Sequence, residues 1–191
     1  PEANASGTVQ QEPSVEPDTV ITLAAVGDIM VYDEQIEAAR QADGTYDFSG
    51  CFSAVSALTM GADFTVGNLE LNFCGEPYSG RPNFRAPESL ALALKEKGFD
   101  LVQTANTYSI QNGVSGLKST IKYLNTVGID HVGTYVAQDD KNTNEGVLLK
   151  NVNGIKIAFI GYTKGVNNEK LPEGSEFCVD LLYQDYWTEY K

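Results

Sequence analysis

What most limits the fold of this chain is an alternation: short β-rich apolar runs recur along it, and most are followed by a stretch with helical character. The first run, Val20 to Val26 in "TVITLAAVGDIM", is stopped by Gly27-Asp28 and followed by the helix-competent "YDEQIEAARQA". "GCFSAVSALTMGAD" then sets Phe52, Val55 and Leu58 at helical spacing, with Gly61 as a C-terminal cap. "DFTVGNLE" reads as the second strand. "APESLALALKEKGFD" predicts a helix: Pro87 suits a first turn, Leu90 and Leu94 share a face, Lys95 and Lys97 favour the C-terminal end, and Gly98 ends it. "LVQTA" is the third strand. "SGLKSTIKYLNTVG" is a further helix with Leu117, Ile121 and Leu124 on one face and Gly128 as its cap, and "IDHVGTY" is a fourth strand. In "EGVLLKNVNGIKIAFIGYT" two β-rich runs flank Asn153-Gly154, a strong short-range hairpin signal. From Lys164 the chain reads as irregular, ending in "LLYQDYWTEYK". Strand–helix alternation with one late hairpin predicts an α/β fold with a mixed sheet. In such folds polar sites gather at the carboxyl ends of the strands.

With 191 residues, of which 42% are apolar and 10% aromatic, the chain can build one domain with a real core. The first 18 residues are rich in Pro, Glu, Gln and Ser and nearly free of large apolar side chains, so residues 1–18 read as a disordered leader and 19–191 as the α/β domain. The leader lacks the basic start and apolar core of a signal peptide. An exported protein with its signal removed would begin this way, and so would a chain trimmed at a linker. A formal net charge of −13 repels phosphate backbones and anionic membrane surfaces, which argues against nucleic acid as a partner. No run of 18 apolar residues exists that would cross a bilayer as a helix. Cys51, Cys74 and Cys178 form no CxxC pair and there is one His, so a zinc cluster lacks its ligands. One disulfide with a spare thiol, or three thiols, are both compatible with this count.

Three strand ends carry oxygen donors: Gly27-Asp28, then Asn68-Leu69-Glu70, then Ala105-Asn106-Thr107-Tyr108. Carboxylates and amides brought together from separate strands suit a hard cation, or part of a two-metal phosphoesterase centre. The plainer alternative is that Asp and Asn after strands are ordinary turn and cap residues. His131 in "GIDHVG" is the single imidazole, and a lone His beside a strand is more often hydrogen-bonded than a ligand. No GxGxxG, GxxxxGKS or GxSxG pattern is present, which leaves a nucleotide loop or a hydrolase triad unsupported.

Taken in order, "AAVGDIM", "ADFTVGNLE", "FRAPESLALALKEKGFDLVQTAN", "GLKSTIKYLNTVGIDHVGT" and "NGIKIAFIGYT" resemble the bacterial capsule synthesis protein family, of the CapA or poly-gamma-glutamate capsule type. The match runs from about Ile21 to Thr163. The resemblance implies a layered α/β sandwich of the calcineurin-like metallophosphoesterase type. It implies an exported or surface-anchored protein associated with an anionic capsule or cell-wall polymer. It places the family's GD motif on Gly27-Asp28 and its NLE motif on Asn68-Leu69-Glu70, with Asp28 and Glu70 as metal-proximal carboxylates. With Asn106 they are the expected donors to a divalent metal (Mn, Fe, Zn or Mg). Asn68, Arg85 and the aromatics Tyr78, Phe84 and Tyr108 are the expected lining for an anionic or sugar ligand, with a surface salt bridge as the plainer reading of Arg85. The family's third motif is Ala-Asn-Asn-His followed by Asp-Tyr-Gly. Here it reads Ala105-Asn106-Thr107-Tyr108, then Gln111-Asn112-Gly113. Thr is a poor metal ligand, and a Tyr with a pKa near 10 is a poor acid–base substitute at neutral pH. Two functions follow as expectations: a metallophosphoesterase-like enzyme acting on surface polymer with a degenerate loop, or a non-catalytic polymer-binding or structural module. The family domain continues past this stretch, so a completing C-terminal segment or a dimer is expected to cover the open sheet.

Overall fold

The structure is a computed structural model that describes residues 18–143, 145–167 and 170–183. Residues 1–17 of the expected leader and the chain from residue 184 lie outside it. Among the described residues six strands form two sheets. β1 (Leu23–Ile29), β2 (Phe64–Leu69), β3 (Leu101–Gln103) and β4 (Asp130–Val132) lie in the order β1-β2-β3-β4, every pair parallel. β5 (Leu148–Val152) and β6 (Ile155–Phe159) pair antiparallel as a separate hairpin. The expected layered α/β sandwich is what is seen, with its parallel and antiparallel pairings divided between two sheets.

Helices connect the parallel strands: α1 (Asp33–Ala39) and the short α2 (Ser56–Thr59) between β1 and β2, α3 (Ser89–Glu96) before β3, and α4 (Gly113–Val127) before β4. α4 is closed by Gly128 in the left-handed conformation, as its position in the sequence predicts. α5 (Gln138–Thr143) follows β4; sequence reading had no helix there, since none of its residues is buried and no apolar stripe marks it. In the α2 region the helical spacing of Phe52, Val55 and Leu58 predicts a core face. Instead α2 has only four residues, Phe52 is half-buried, and Val55 and Leu58 are exposed.

Alternation along the strands divides the core. Leu69 and Val102 join Ile36, Leu90, Leu94, Phe99 and Leu124 in a cluster under α1, α3 and α4. Phe64, Leu101 and Val132 point the other way and join Val152, with Leu148, Ile157 and Phe159 of the hairpin packed against them. The parallel sheet is thus a middle layer between helices and hairpin. The hairpin turn is Asn153-Gly154, both at positive φ (49° and 92°), as a tight two-residue turn requires. At the end of β4, Gly133 is needed for a different reason: a Cβ there would lie 2.5 Å from the Cβ of Ala105 and 2.7 Å from the carbonyl oxygen of Gly161.

β1 sits at the edge of the sheet and most of it is exposed. It also carries a bulge. Ala25 stands opposite Val66 and Asp28 opposite Asn68, so three steps on β1 match two on β2.

Candidate functional site

The carboxyl ends of β1, β2 and β3 bring together four of the residues singled out by sequence. The bulge in β1 sets Asp28 directly across from Asn68. The Asn68 amide donates to Asp28 Oδ1 at 2.8 Å and to Glu70 Oε1 at 3.2 Å, so the two carboxylates converge on one nitrogen. Asn106 donates to Asn68 Oδ1 at 3.1 Å and to the carbonyl of Leu69 at 2.8 Å, while its own Oδ1 accepts the backbone N–H of Tyr108. Asp28 is exposed and Glu70 is half-buried. Burial pushes the Glu70 carboxyl above its ordinary range, the Asn68 hydrogen bond pulls it back, and the Asp28 charge pushes it up again.

The loop that carries Asn106 is held from beneath. Ser109 Oγ accepts from the Asn106 backbone N–H and donates to the Thr104 carbonyl, and the Thr104 and Thr134 hydroxyls bond at 2.6 Å. Asn112 donates to Asn83 O and to the buried Asn72, whose amide donates to Ser109 O. Asn-rich loop sequences read as turns. Here the amides form a hydrogen-bonded frame for the strand end, buried at Asn72 and Asn106 and open to solvent toward Asn83.

Arg85 and Tyr108 face different tasks. The Arg85 guanidinium donates to the carbonyls of Gly75, Cys74 and Glu76 and so clamps the 74–76 loop. The Tyr108 ring packs edge-on against Phe84, with centroids 4.6 Å apart, and Tyr32 packs on the same Phe84 at 5.3 Å. Tyr108 therefore lies partly in the helix-side core, where the family pattern has a His. Thr107 is exposed. His131 is on β4, across from Val102, and lines a separate cavity with Asn125, Tyr135 and Asp140. It does not join the carboxylates. Burial holds its imidazole below the ordinary value, opposed by the charges of Asp130 and Asp140. The three cysteines are unpaired thiols.

Two features escaped the sequence reading. One is a mostly apolar cavity of about 370 Å³ beside Asp28, lined by Val26, Met30, Phe48, Phe52 and Phe99 among others. The other is Asp180, 3% exposed, which accepts from the Tyr135 hydroxyl and pairs with Lys141 at 2.6 Å. Asp180 lies in a stretch with no periodicity, so nothing in its neighbourhood announces a buried carboxylate.

As a cation site the donor set is partial. Among the described residues no group of three or more His, Cys, Asp and Glu side chains stands close enough to hold a metal. Asp28 and Glu70 are oxygen donors of the kind a hard divalent cation such as Mg²⁺ or Mn²⁺ takes, but the group that stands between them here is the Asn68 NH₂, while the Asn68 and Asn106 amide oxygens accept from Asn106 and from the Tyr108 N–H. The two carboxylates fit zinc poorly, because zinc sites favour nitrogen and sulfur.

Comparison with known proteins gives the arrangement its relatives. Residues 22–184 match the family model described as bacterial capsule synthesis protein PGA_cap. The chain belongs to this family. It is 28% identical over 149 residues to the capsule biosynthesis protein CapA of Bacillus anthracis, covering 75% of this chain and 34% of that protein. It is 26% identical over 185 residues to the PGA biosynthesis protein CapA of Bacillus subtilis (strain 168), covering 86% of this chain and 45% of the relative. An uncharacterized protein, y4sH of Sinorhizobium fredii (strain NBRC 101917 / NGR234), is 31% identical over 142 residues, or 70% of this chain and 28% of its own length. The chain thus spans less than half the length of these relatives.

Proposed function

We propose that this family member works at the cell surface, bound to an anionic capsule or wall polymer of the poly-gamma-glutamate kind, through a divalent cation held by Asp28 and Glu70. The observation that carries the reading is the convergence of those two carboxylates on one point at the sheet's carboxyl edge. Charge gives the reason for the cation. A chain of net charge −13 with two carboxylates at its site repels a polyanion, and a bound cation bridges protein and polymer carboxylates. Mg²⁺ or Mn²⁺ suits the oxygen donors better than Zn²⁺, and the cation supplies the positive charge the site lacks. Binding is favoured over turnover because the Asn-His step of the family is Thr107-Tyr108 here and the Tyr108 ring is packed on Phe84.

The test is elemental analysis of the purified, chelator-stripped protein after exposure to Mn²⁺, Mg²⁺, Fe²⁺ and Zn²⁺, followed by retention on immobilised poly-gamma-glutamate. Metal uptake and polymer retention that are both lost in Asp28→Ala support the reading. Retention that is indifferent to chelator overturns the cation bridge, and release of new polymer ends overturns the assignment as a binder.

A second reading concerns assembly. Among the described residues β1 has no strand on its outer edge, Val20, Leu23 and Val26 around it are exposed, and its sequence lacks the Lys and Pro that usually protect such edges. We propose that a further strand, from a completing C-terminal segment or from a second copy, covers it. A chain extended to the relatives' length that protects β1 amides from hydrogen exchange supports the segment, and concentration-dependent protection of the 191-residue chain supports the dimer.

A further inference from the structure

The apolar face that Phe52 and Val55 present in the sequence has no core packed over it. Both side chains instead line the cavity of about 370 Å³ beside Asp28, together with Val26, Phe48, Leu90 and Phe99. Phe48, Leu90 and Phe99 are each 1% exposed, and Phe52 meets Phe99 edge-on with centroids 5.9 Å apart. The cavity therefore cuts into the helix-side core between β1 and the chain that joins α1 to α2. Protein interiors hold few voids larger than a water molecule. A void of this size falls among small-ligand sites, roughly 300–1,000 Å³, and about 150 Å³ already admits a benzene ring. Gly27, inside the bulge, also lines it and leaves the opening clear, with no atom within 4 Å of where a Cβ would stand. Two exposed polar side chains stand at the mouth. Gln35 spends its oxygen on the Tyr32 N–H and keeps its NH₂ free. Asp28 is the single formal charge in the lining; Oδ1 accepts from Asn68 and Oδ2 has no partner.

We infer that this cavity is a binding site for an aliphatic primary amine, with the chain inside and the ammonium on the free oxygen of Asp28. The walls select the chain: they are aromatic and aliphatic, and burying methylenes there removes them from water at no cost in polar groups. Charge selects the head. The one charged group at the mouth is a carboxylate, Glu70 shares the same Asn68 amide beside it, and the whole chain carries a net charge of −13. An ammonium is attracted there and a fatty carboxylate of the same length is repelled. Val26, Val55 and Leu58 extend the apolar surface outward from the rim, all of them exposed. The inference does not use a divalent ion. A metal and an ammonium are rivals for Asp28, so either can stand without the other.

The experiment is a methyl-detected NMR titration of the chain, in chelator and below micellar concentrations, with octylammonium, hexylammonium and octanoate. Octylammonium should shift the Ile29 and Val55 methyls saturably, with exposed Leu149 as the control for non-specific adsorption. Hexylammonium should bind about tenfold more weakly, the transfer free energy of two methylenes. Octanoate should bind about fivefold more weakly or worse at neutral pH, and Asp28→Asn should remove that preference. Cys51 is exposed and lines the cavity, so Cys51→Trp plugs the mouth without entering the core and should abolish octylammonium binding. Ser53→Trp sets the same ring on an exposed neighbour outside the lining and should leave binding intact. Equal affinity for the hexyl and octyl chains, or for the two Trp variants, overturns the cavity as the site. Equal affinity for octylammonium and octanoate in wild type overturns the amine. Shifts produced by phosphatidylcholine vesicles but not by the free amine make the exposed apolar rim a membrane contact and overturn the small-ligand site. Amine binding by a chain that takes up no Mn²⁺ supports the inference while overturning the cation reading.

Discussion

β1 and β3 are neighbours of the same β2, yet they are anchored in opposite ways. β1 is the longest strand of the parallel sheet, and most of its residues are exposed. β3 has three residues, and Leu101 and Val102 are both at 0% exposure, one facing the hairpin and the other the helices. Strand length does not measure what a strand contributes. The central strand is fixed by burial on both faces, and the edge strand by one ladder and a bulge. The candidate site draws on both: Asn106 follows the rigid strand, while Asp28 belongs to the open one.

The contrast is sharpest in core truncations. Leu101→Ala should lower the unfolding free energy by about 2–5 kcal/mol, the usual cost of emptying a buried leucine site, whereas Leu23→Ala, 49% exposed, should cost under about 1 kcal/mol. Urea denaturation of both variants measures this, and equal costs would mean that β1 is covered in solution. Next in size is Asp180→Ala, which leaves Lys141 and the Tyr135 hydroxyl without their carboxylate; a loss of about 3 kcal/mol is expected. The exposed Arg40–Glu37 pair provides the control, and Glu37→Ala should change stability by less than about 0.5 kcal/mol.

A smaller effect should appear with pH. His131 on β4 has its folded pKa depressed below the ordinary 6.5, mainly by burial. The unfolded chain therefore binds the proton first as pH falls. The stability tied to neutral His131 is full above about 6.5 and is lost progressively below it. Thermal melts between pH 7.5 and 5 should show this decline, and His131→Gln should flatten it; an identical slope in the variant would assign the decline to other groups. The smallest stability effect is expected for Leu23→Lys, within about 0.5 kcal/mol, because the position is half open. The same change should abolish any self-association through the β1 edge, as read by analytical ultracentrifugation.

Much of the architecture was legible because strands, helices and the Asn153-Gly154 turn each carry a local signal. The carboxyl-end placement of Asp28, Asn68, Glu70 and Asn106 followed from alternation. What they do to one another did not, because the direction of an amide is set by partners distant in sequence, such as Leu69 for Asn106. β1 was displaced from its expected span, Val20 to Val26, to Leu23–Ile29. Asp63 ties down the Thr22 backbone N–H at 2.7 Å before the strand starts, and the bulge lets the strand run on through Gly27-Asp28. Val55 and Leu58 misled because periodicity gives a face without saying whether anything packs on it. Tyr108 and Arg85 read as site residues from chemistry alone, and the structure engages both in holding loops.

The bulge in β1 has a mechanical consequence. It interrupts the ladder between the Ala25–Val66 and Asp28–Asn68 rungs, so the strand is paired to β2 as two lengths with a local bend between them. Strain applied to the upstream length, such as a neighbour zipping onto its free edge, can be taken up at Val26-Gly27. Gly27 meets no atom within 4 Å of where a Cβ would stand, which leaves room for that adjustment. The outer half of the strand and the half that carries Asp28 are thus tied to β2 by separate rungs, one on each side of the break.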